Sequence, residues 1–243
     1  MDRAPRTFVL GDIHGAHRAL VQVLERSGFD REKDTLIFLG DVADGFPDTR
    51  QCIDELLTVK NLIQLIGNHD NWLFHWITTG KKLDEWVLQG GQATIDSYGG
   101  SPDNVPASHF EYLIEARPWY QDGNRIFVHG GWQYKIREHP KTESPLVLTW
   151  DRLLWYNANA KHPGPITTFN EVFLGHTQTL SLLPEKASEV WNLDTGAGWN
   201  GVLTMMEITD GLELICYYQS DVVADLYSET MHAQRVRRIA VPR

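Results

Sequence analysis

Five short apolar runs, each ending on a polar cluster, constrain this chain more than any other feature. "TFVL" at 7–10, "TLIFL" at 35–39, "LIQLI" at 62–66, "RIFV" at 125–128 and "EVFL" at 171–174 are the runs. They lead into "GDIHG" at 11–15, "GDVAD" at 40–44, "GNHD" at 67–70, "HGG" at 129–131 and "GHT" at 175–177. Their length and their β-branched and aromatic content read as buried strands. Between the early ones, Ala19, Leu20, Val23 and Leu24 recur at helical spacing, with Gly28 placed to end the helix. Cys52, Ile53, Leu56 and Leu57 repeat the pattern. Strand, helix, strand, helix, strand predicts an α/β fold. Groups just past the carboxyl ends of strands in such a sheet share one crevice, so the five clusters converge in space.

What converges is rich in carboxylate, amide and imidazole and has no thiolate. That donor set suits Mn, Fe or Zn better than copper(I) or an iron–sulfur cluster. Taken singly, each residue has an ordinary explanation: Asp41 as a helix cap, Asn68 as a turn residue, His14 or His129 as a hydrogen-bonded histidine. Placement after five successive strands makes the joint coincidence hard to sustain.

The rest of the chain bounds the alternatives. A net charge of -10 over 243 residues argues against a general nucleic-acid-binding surface. The two cysteines, Cys52 and Cys216, have neither metal nor redox spacing, and neither opens a Cys-x5-Arg loop. No signal-peptide pattern and no membrane-length apolar stretch is present, so a soluble, cytoplasmic location is expected. Residues 70–120 read as mainly helical, with the glycine pairs at 90–91 and 99–100 as breaks. The last third reads as strands in "EVWNLDT", "GVLTMMEIT" and "LELICYYQS", the last two joined by a turn at Asp210-Gly211. The expected organisation is one domain over 1–243, with 221–243 as a C-terminal extension whose four-arginine tail is a solvated face or a partner contact.

In this order, "GDIHG", "GDVAD", "GNHD", "HGG" and "GHT" resemble the motifs of the calcineurin-like metallophosphoesterases, over about residues 8–208. "WVLQGGQATIDSYGG" is similar to the W-x-x-x-G-G-x-x-T segment of the bacterial serine/threonine phosphoprotein phosphatases, and "LTWDR" to their W-x-R. The resemblance implies a four-layer αββα sandwich of two mixed β-sheets flanked by helices. It also implies two divalent metal ions, with Mn the first choice and Fe or Zn alternatives. Asp12, His14 and Asp41 would hold one, and Asp41, Asn68, His129 and His176 the other, with Asp41 bridging. His69 would be the general acid, oriented by Asp44; Asp70 would support its loop, and Arg152 would bind the substrate phosphate.

The implied activity is phosphomonoester hydrolysis by direct attack of water, with a serine/threonine protein phosphatase as the first reading. The substrate would be a phosphorylated protein or a small phosphoester. A nucleotide phosphoesterase acting on diadenosine tetraphosphate or a cyclic phosphate is the second possibility, and a phosphatase-fold binding scaffold the third. One position departs from the family. Gly45 stands where G-D-x-x-D-R-G supplies a phosphate-binding arginine, with Arg50 the nearest basic residue after it. "GAGWNG" at 196–201 matches G-x-G-x-x-G, but a strand-like run follows it rather than a helix, which rejects a dinucleotide site. Trp199 in that turn either faces substrate or packs. His17, His75, His109, His139, His162 and His232 lie outside the motifs and are expected to be ordinary.

Overall fold

A computed structural model describes residues 3–133, 139–160, 164–210 and 216–228. Each of the five apolar runs contains or overlaps a strand: β1 (Thr7–Leu10), β2 (Thr35–Phe38) and β3 (Asn61–Gln64) early, then β5 (Arg125–Val128) and β6 (Glu171–Leu174). The remaining strands are β4 (Trp119–Asp122), β7 (Glu185–Ala187), β8 (Val190–Asn192), β9 (Thr204–Glu207) and β10 (Cys216–Gln219). The helices are α1 (His17–Ser27), α2 (Thr49–Leu56), α3 (Asn68–Thr79), α4 (Asp84–Trp86), α5 (Gln92–Ser97), α6 (Ala107–Glu115), α7 (Pro145–Trp150), α8 (Leu153–Asn159) and α9 (Val223–Leu226). As expected, α1 ends on Gly28, whose N–H caps the last turn through the Glu25 and Leu24 carbonyls.

The strands form two mixed five-stranded sheets, in the orders β10-β9-β1-β2-β3 and β4-β5-β6-β8-β7. β1, β2 and β3 run parallel in the first, as do β5, β6 and β8 in the second. Period-two alternation explains how they stack. Phe8, Leu10, Leu36 and Phe38 face α1, α2 and α3, whereas Val9, Ile37 and Met206 share a core with Phe127, Phe173 and Trp191 of the opposite sheet. On the far side Ile126, Val128, Val172 and Leu174 pack against Leu148, Leu154 and Trp155 of α7 and α8. Helices, sheet, sheet, helices: this is the four-layer sandwich. Phe127 and Phe173 stack between the sheets at 4.9 Å, and truncating either to alanine is expected to cost about 3–5 kcal/mol.

The helical expectation for 70–120 needs one adjustment. The first glycine pair breaks the helix as expected: Gln89 (φ -98°) and Gly90 (φ 101°) are non-helical and kink the chain between α4 and α5. The segment's end, from Trp119, already belongs to β4. Residues 221–228 pack on the body: Val223 is buried, and the Tyr227 hydroxyl donates to Asp48 at 2.6 Å. Gly211 of the expected Asp210-Gly211 turn, His162, His232 and the arginine tail lie outside the described residues. Among the described residues, no helix is long and apolar enough to cross a membrane.

Candidate metal centre

All six central parallel strands point their carboxyl ends at one place. β1 delivers Asp12 and His14, β2 delivers Asp41 and Asp44, and β3 delivers Asn68 and His69 at the start of α3. β5 delivers His129, β6 delivers His176, and β8 delivers Asp194. Among the described residues, six non-glycine residues have positive φ, and four of them are His14 (50°), Asp41 (60°), Asp44 (75°) and His176 (63°). Such conformations persist only where the surroundings over-determine them, and they concentrate at functional sites.

Asp41 is the hub. Its Oδ2 stands 3.2 Å from His129 Nε2 and 3.8 Å from His14 Nε2. Its Oδ1 accepts the backbone N–H of His69 at 2.9 Å. Ligand-type atoms of Asp41, His129 and His176 lie within 4.8 Å of one another, as do those of His14, Asp41 and His69. Asn68 Oδ1 joins the first group, 3.1 Å from His129 Nε2. In the second group, the expected general acid His69 stands where Asp12 was expected. Asp12 sits to one side, its Oδ2 accepting the His176 N–H at 3.0 Å. The loop that carries Asp41 is fixed by Asp70, whose carboxylate accepts the N–H groups of Gly67, Asp41, Val42 and Ala43 at 2.8–3.2 Å. Asp70 was expected to support the loop of His69; through Gly67 N–H it touches that loop, but three of its four bonds hold the Asp41 loop instead.

Carbonyl partners fix the imidazole tautomers, because a carbonyl oxygen only accepts. His14 donates Nδ1–H to Ala43 O at 3.0 Å and His129 donates Nδ1–H to Leu39 O at 2.9 Å, so each turns Nε2 toward Asp41. His176 donates Nε2–H to Trp150 O at 3.3 Å, which leaves Nδ1. This is the outer-shell pattern that orients imidazole ligands of metals.

The electrostatics ask for positive charge. Burial and then the neighbouring Asp194 push the Asp12 carboxyl well above the ordinary range, and Oδ1 of Asp12 is buried without a hydrogen-bond partner. Burial and Asp41 likewise push Asp70 up to about 6, and burial raises Asp194 to about 6. Burial lowers His14 to about 4, with His69 adding to the effect, and it lowers His176 to about 3. At His129 burial opposes the charge, but the Asp41 carboxylate outweighs it and raises the imidazole to about 10. Several buried carboxylates, an orphaned carboxylate oxygen and imidazole nitrogens turned inward are what divalent cations satisfy and what a dry core does not. The donor set fits Mn, Fe or Zn alike.

Beside this centre, His69 donates Nδ1–H to Asp44 Oδ2 at 2.6 Å, leaving Nε2 as its free ring nitrogen. Burial opposes protonation of His69, but Asp41 and Asp44 outweigh it and raise its pKa. Arg152, at the N-terminus of α8, is exposed yet tethered: Nη1 donates to His176 O at 2.7 Å and to Thr177 Oγ1 at 3.1 Å. It is therefore at the centre's edge rather than loose on a helix. Arg50 lies elsewhere, among the charges acting on His109 and Tyr98.

The opening at Gly45 is closed at the backbone. Gly45 has φ 79°, and a Cβ there would stand 3.2 Å from His14 O and 3.3 Å from Gly198 O. The 196–201 turn thus fills the space over position 45. Trp199, on that turn, is 69% exposed, which excludes the packed alternative. Three residues carry more than the sequence suggested. Asp194 was readable as the polar residue after the strand-like run "EVWNL"; Trp86 and Thr94 were readable only as parts of a spacing, with no indication of what they touch.

A sequence model of the family described as calcineurin-like phosphoesterase matches residues 5–194. The serine/threonine-protein phosphatase 1 of Salmonella typhimurium is 24% identical over 206 residues, covering 83% of this chain and 91% of the relative. The asymmetrical bis(5'-nucleosyl)-tetraphosphatase of Anoxybacillus flavithermus is 24% identical over 227 residues, covering 82% and 88%. A metallophosphoesterase structure from Sphaerobacter thermophilus superposes with a TM-score of 0.60 at 19% identity, covering 94% of each chain, which supports the fold.

Proposed function

The chain belongs to the calcineurin-like phosphoesterases, which are metal-dependent phosphoester hydrolases, and from that premise we propose that it is a phosphomonoesterase acting on phosphoserine and phosphothreonine in proteins. The observation that carries this reading is one carboxylate, Asp41, shared by two imidazole clusters, one of which includes His69, itself held on buried Asp44. Asp12, His14 and Asp41 would hold one divalent cation, and Asp41, Asn68, His129 and His176 a second, with Mn the favoured metal. Bound there, the cations supply Lewis acidity, which lowers the pKa of a water and offsets charge on the phosphoryl oxygens.

The side chains do the rest. Arg152, tethered by one nitrogen to the His176 carbonyl, turns its remaining N–H groups to the phosphoryl oxygens. His69 gives a proton from Nε2 to the departing oxygen as the P–O bond breaks, and Asp44 steadies the charged ring beforehand. The near-full-length likeness to a serine/threonine phosphatase supports the substrate assignment.

A second reading, a nucleotide phosphoesterase, is favoured by the closed position 45 and by exposed Trp199 on the adjoining turn. An indole offers a stacking surface to a base. The test is turnover by Mn-reconstituted protein on phosphopeptides, diadenosine tetraphosphate, cyclic nucleotides and p-nitrophenyl phosphate. Preference for phosphopeptides in kcat/KM supports the first reading, and preference for the nucleotides replaces it with the second. Bound metal without turnover on any ester makes the protein a binding scaffold.

A further inference from the structure

The segment from Trp86 to Thr94 brings two further donors to the Asp44 carboxylate that holds His69. Trp86 is fully buried, and its indole N–H is shared between both Asp44 oxygens, 2.8 Å from each. The Thr94 hydroxyl donates to Asp44 Oδ1 at 2.8 Å. The same hydroxyl accepts the Asp44 backbone N–H at 2.7 Å and lies 3.0 Å from the Thr49 hydroxyl. One hydroxyl proton is available at Thr94, and it goes to Asp44; the other two contacts are ones Thr94 accepts.

The intervening glycines let this happen. A Cβ at Gly91 would stand 2.5 Å from the Trp86 ring, so the indole lies flat on the Gly91 backbone. A Cβ at Gly90 would stand 2.7 Å from Gly45 N, and Gly90 O accepts the Gly45 N–H at 3.4 Å. The kink at Gln89 and Gly90 places Trp86 and Thr94 on the same carboxylate. In the spacing W-x-x-x-G-G-x-x-T, then, the two polar donors grip Asp44 and the two glycines make room for the grip.

We propose that Trp86 and Thr94 are positioning residues for proton donation: they clamp the Asp44 carboxylate so that it holds the His69 ring with Nε2 toward the departing oxygen. This rests on the reading of His69 as the general acid. A carboxylate that accepts from three neutral or cationic donors at once has a single orientation available in a buried site. Without the indole N–H the carboxylate can rotate about its Cβ–Cγ bond, and the His69 ring, tied to it through Nδ1, rotates with it. The proton on Nε2 then no longer lies in line with the leaving oxygen when the P–O bond breaks. Small misplacements of this kind are costly in rate without affecting binding.

The test is the dependence of kcat on the leaving group. Protonation matters little for a good leaving group and much for a poor one. Trp86→Phe, which keeps the buried ring and removes the N–H, and Thr94→Val are assayed on dinitrophenyl phosphate, p-nitrophenyl phosphate, phenyl phosphate and a phosphoserine peptide. The expected loss of kcat is about twofold or less on dinitrophenyl phosphate and roughly tenfold or more on phenyl phosphate and phosphoserine. KM and metal content are expected to be unchanged, and Thr94→Ser, which keeps the hydroxyl, is expected to restore the wild-type pattern.

A loss that is uniform across the series, or no loss, overturns the proposal. His69→Gln in parallel separates the two claims. If it shows the steep dependence and Trp86→Phe does not, the clamp is wrong and the acid stands. If His69→Gln is itself flat, the acid reading fails and the clamp fails with it. Should Trp86→Phe not fold, Thr94→Val carries the same comparison through an independent donor.

Discussion

The Asp41 carboxylate lies directly on the backbone of Gly67: a Cβ built on Gly67 would overlap Asp41 Oδ1 and stand 2.5 Å from Asp41 N. The glycine before Asn68 is therefore a spatial requirement of the residue shared by the two clusters. Gly67→Ala should displace Asp41 and lower metal retention by roughly 10- to 100-fold, the effect typical of disturbing a ligand's support. Metal analysis after dialysis at graded chelator strength checks this. Wild-type retention in Gly67→Ala would show that Asp41 does not hold the metals.

In the proposed mechanism Arg152 binds the substrate phosphate, and in the structure it bonds one carbonyl and one hydroxyl at the centre's edge. Arg152→Ala should raise KM for phosphomonoesters and lower kcat/KM by roughly 10- to 100-fold, as loss of a charged hydrogen bond worth about 1.5–3 kcal/mol implies. Arg152→Lys should recover only part of this, because an ammonium cannot offer the guanidinium fork. Steady-state kinetics on p-nitrophenyl phosphate decides it; an unchanged KM removes Arg152 from the substrate site.

Restoring the arginine missing at position 45 would improve phosphate binding only if the pocket had room, and the backbone there has none. With φ at 79° and both the His14 and Gly198 carbonyls within 3.3 Å of a Cβ, Gly45→Arg should destabilise the protein by about 1–3 kcal/mol. It should also raise KM rather than lower it. Urea denaturation and kinetics on the same preparation test both. A lower KM at unchanged stability would mean that the 196–201 turn moves aside.

His109 supplies a pH dependence separate from catalysis. It is fully buried on α6, bonded through Nδ1 to the Tyr98 hydroxyl at 2.8 Å and through Nε2 to Asp54 at 2.9 Å. Burial lowers its pKa in the folded protein, against the opposing pull of Asp54. The unfolded chain therefore takes up this proton first as pH falls. The stabilisation is complete above the ordinary histidine range and is lost as pH drops through it. Urea midpoints should fall between pH 7.5 and 5.5, and they should fall less in His109→Gln. Parallel curves for the two proteins would assign the pH dependence to other groups.

Much of the fold was legible because β1, β2, β5 and β6 are buried on both faces. Such strands read as unbroken apolar runs, and each was followed at once by the polar residues that meet at the centre. The weaker strands were not legible. β4 carries Trp-Tyr-Gln-Asp at a sheet edge, and β7 carries Glu-Lys-Ala. Neither has the composition of a buried run, and each is a strand because a neighbour offers it a ladder.

The sequence by itself determined which side chains stand at the carboxyl ends of the strands, because strand and helix periods are local properties of the chain. From that came the donor set, the family likeness and the gap at Gly45. Only the tertiary structure decided what lies against what. It put Trp86 on Asp44 across 42 positions, set Asp194 beside Asp12, and laid Gly198 over Gly45. Those contacts follow from two sheets packing face to face and from a kink at Gln89 and Gly90 that folds the chain back over the site, and no local period encodes either.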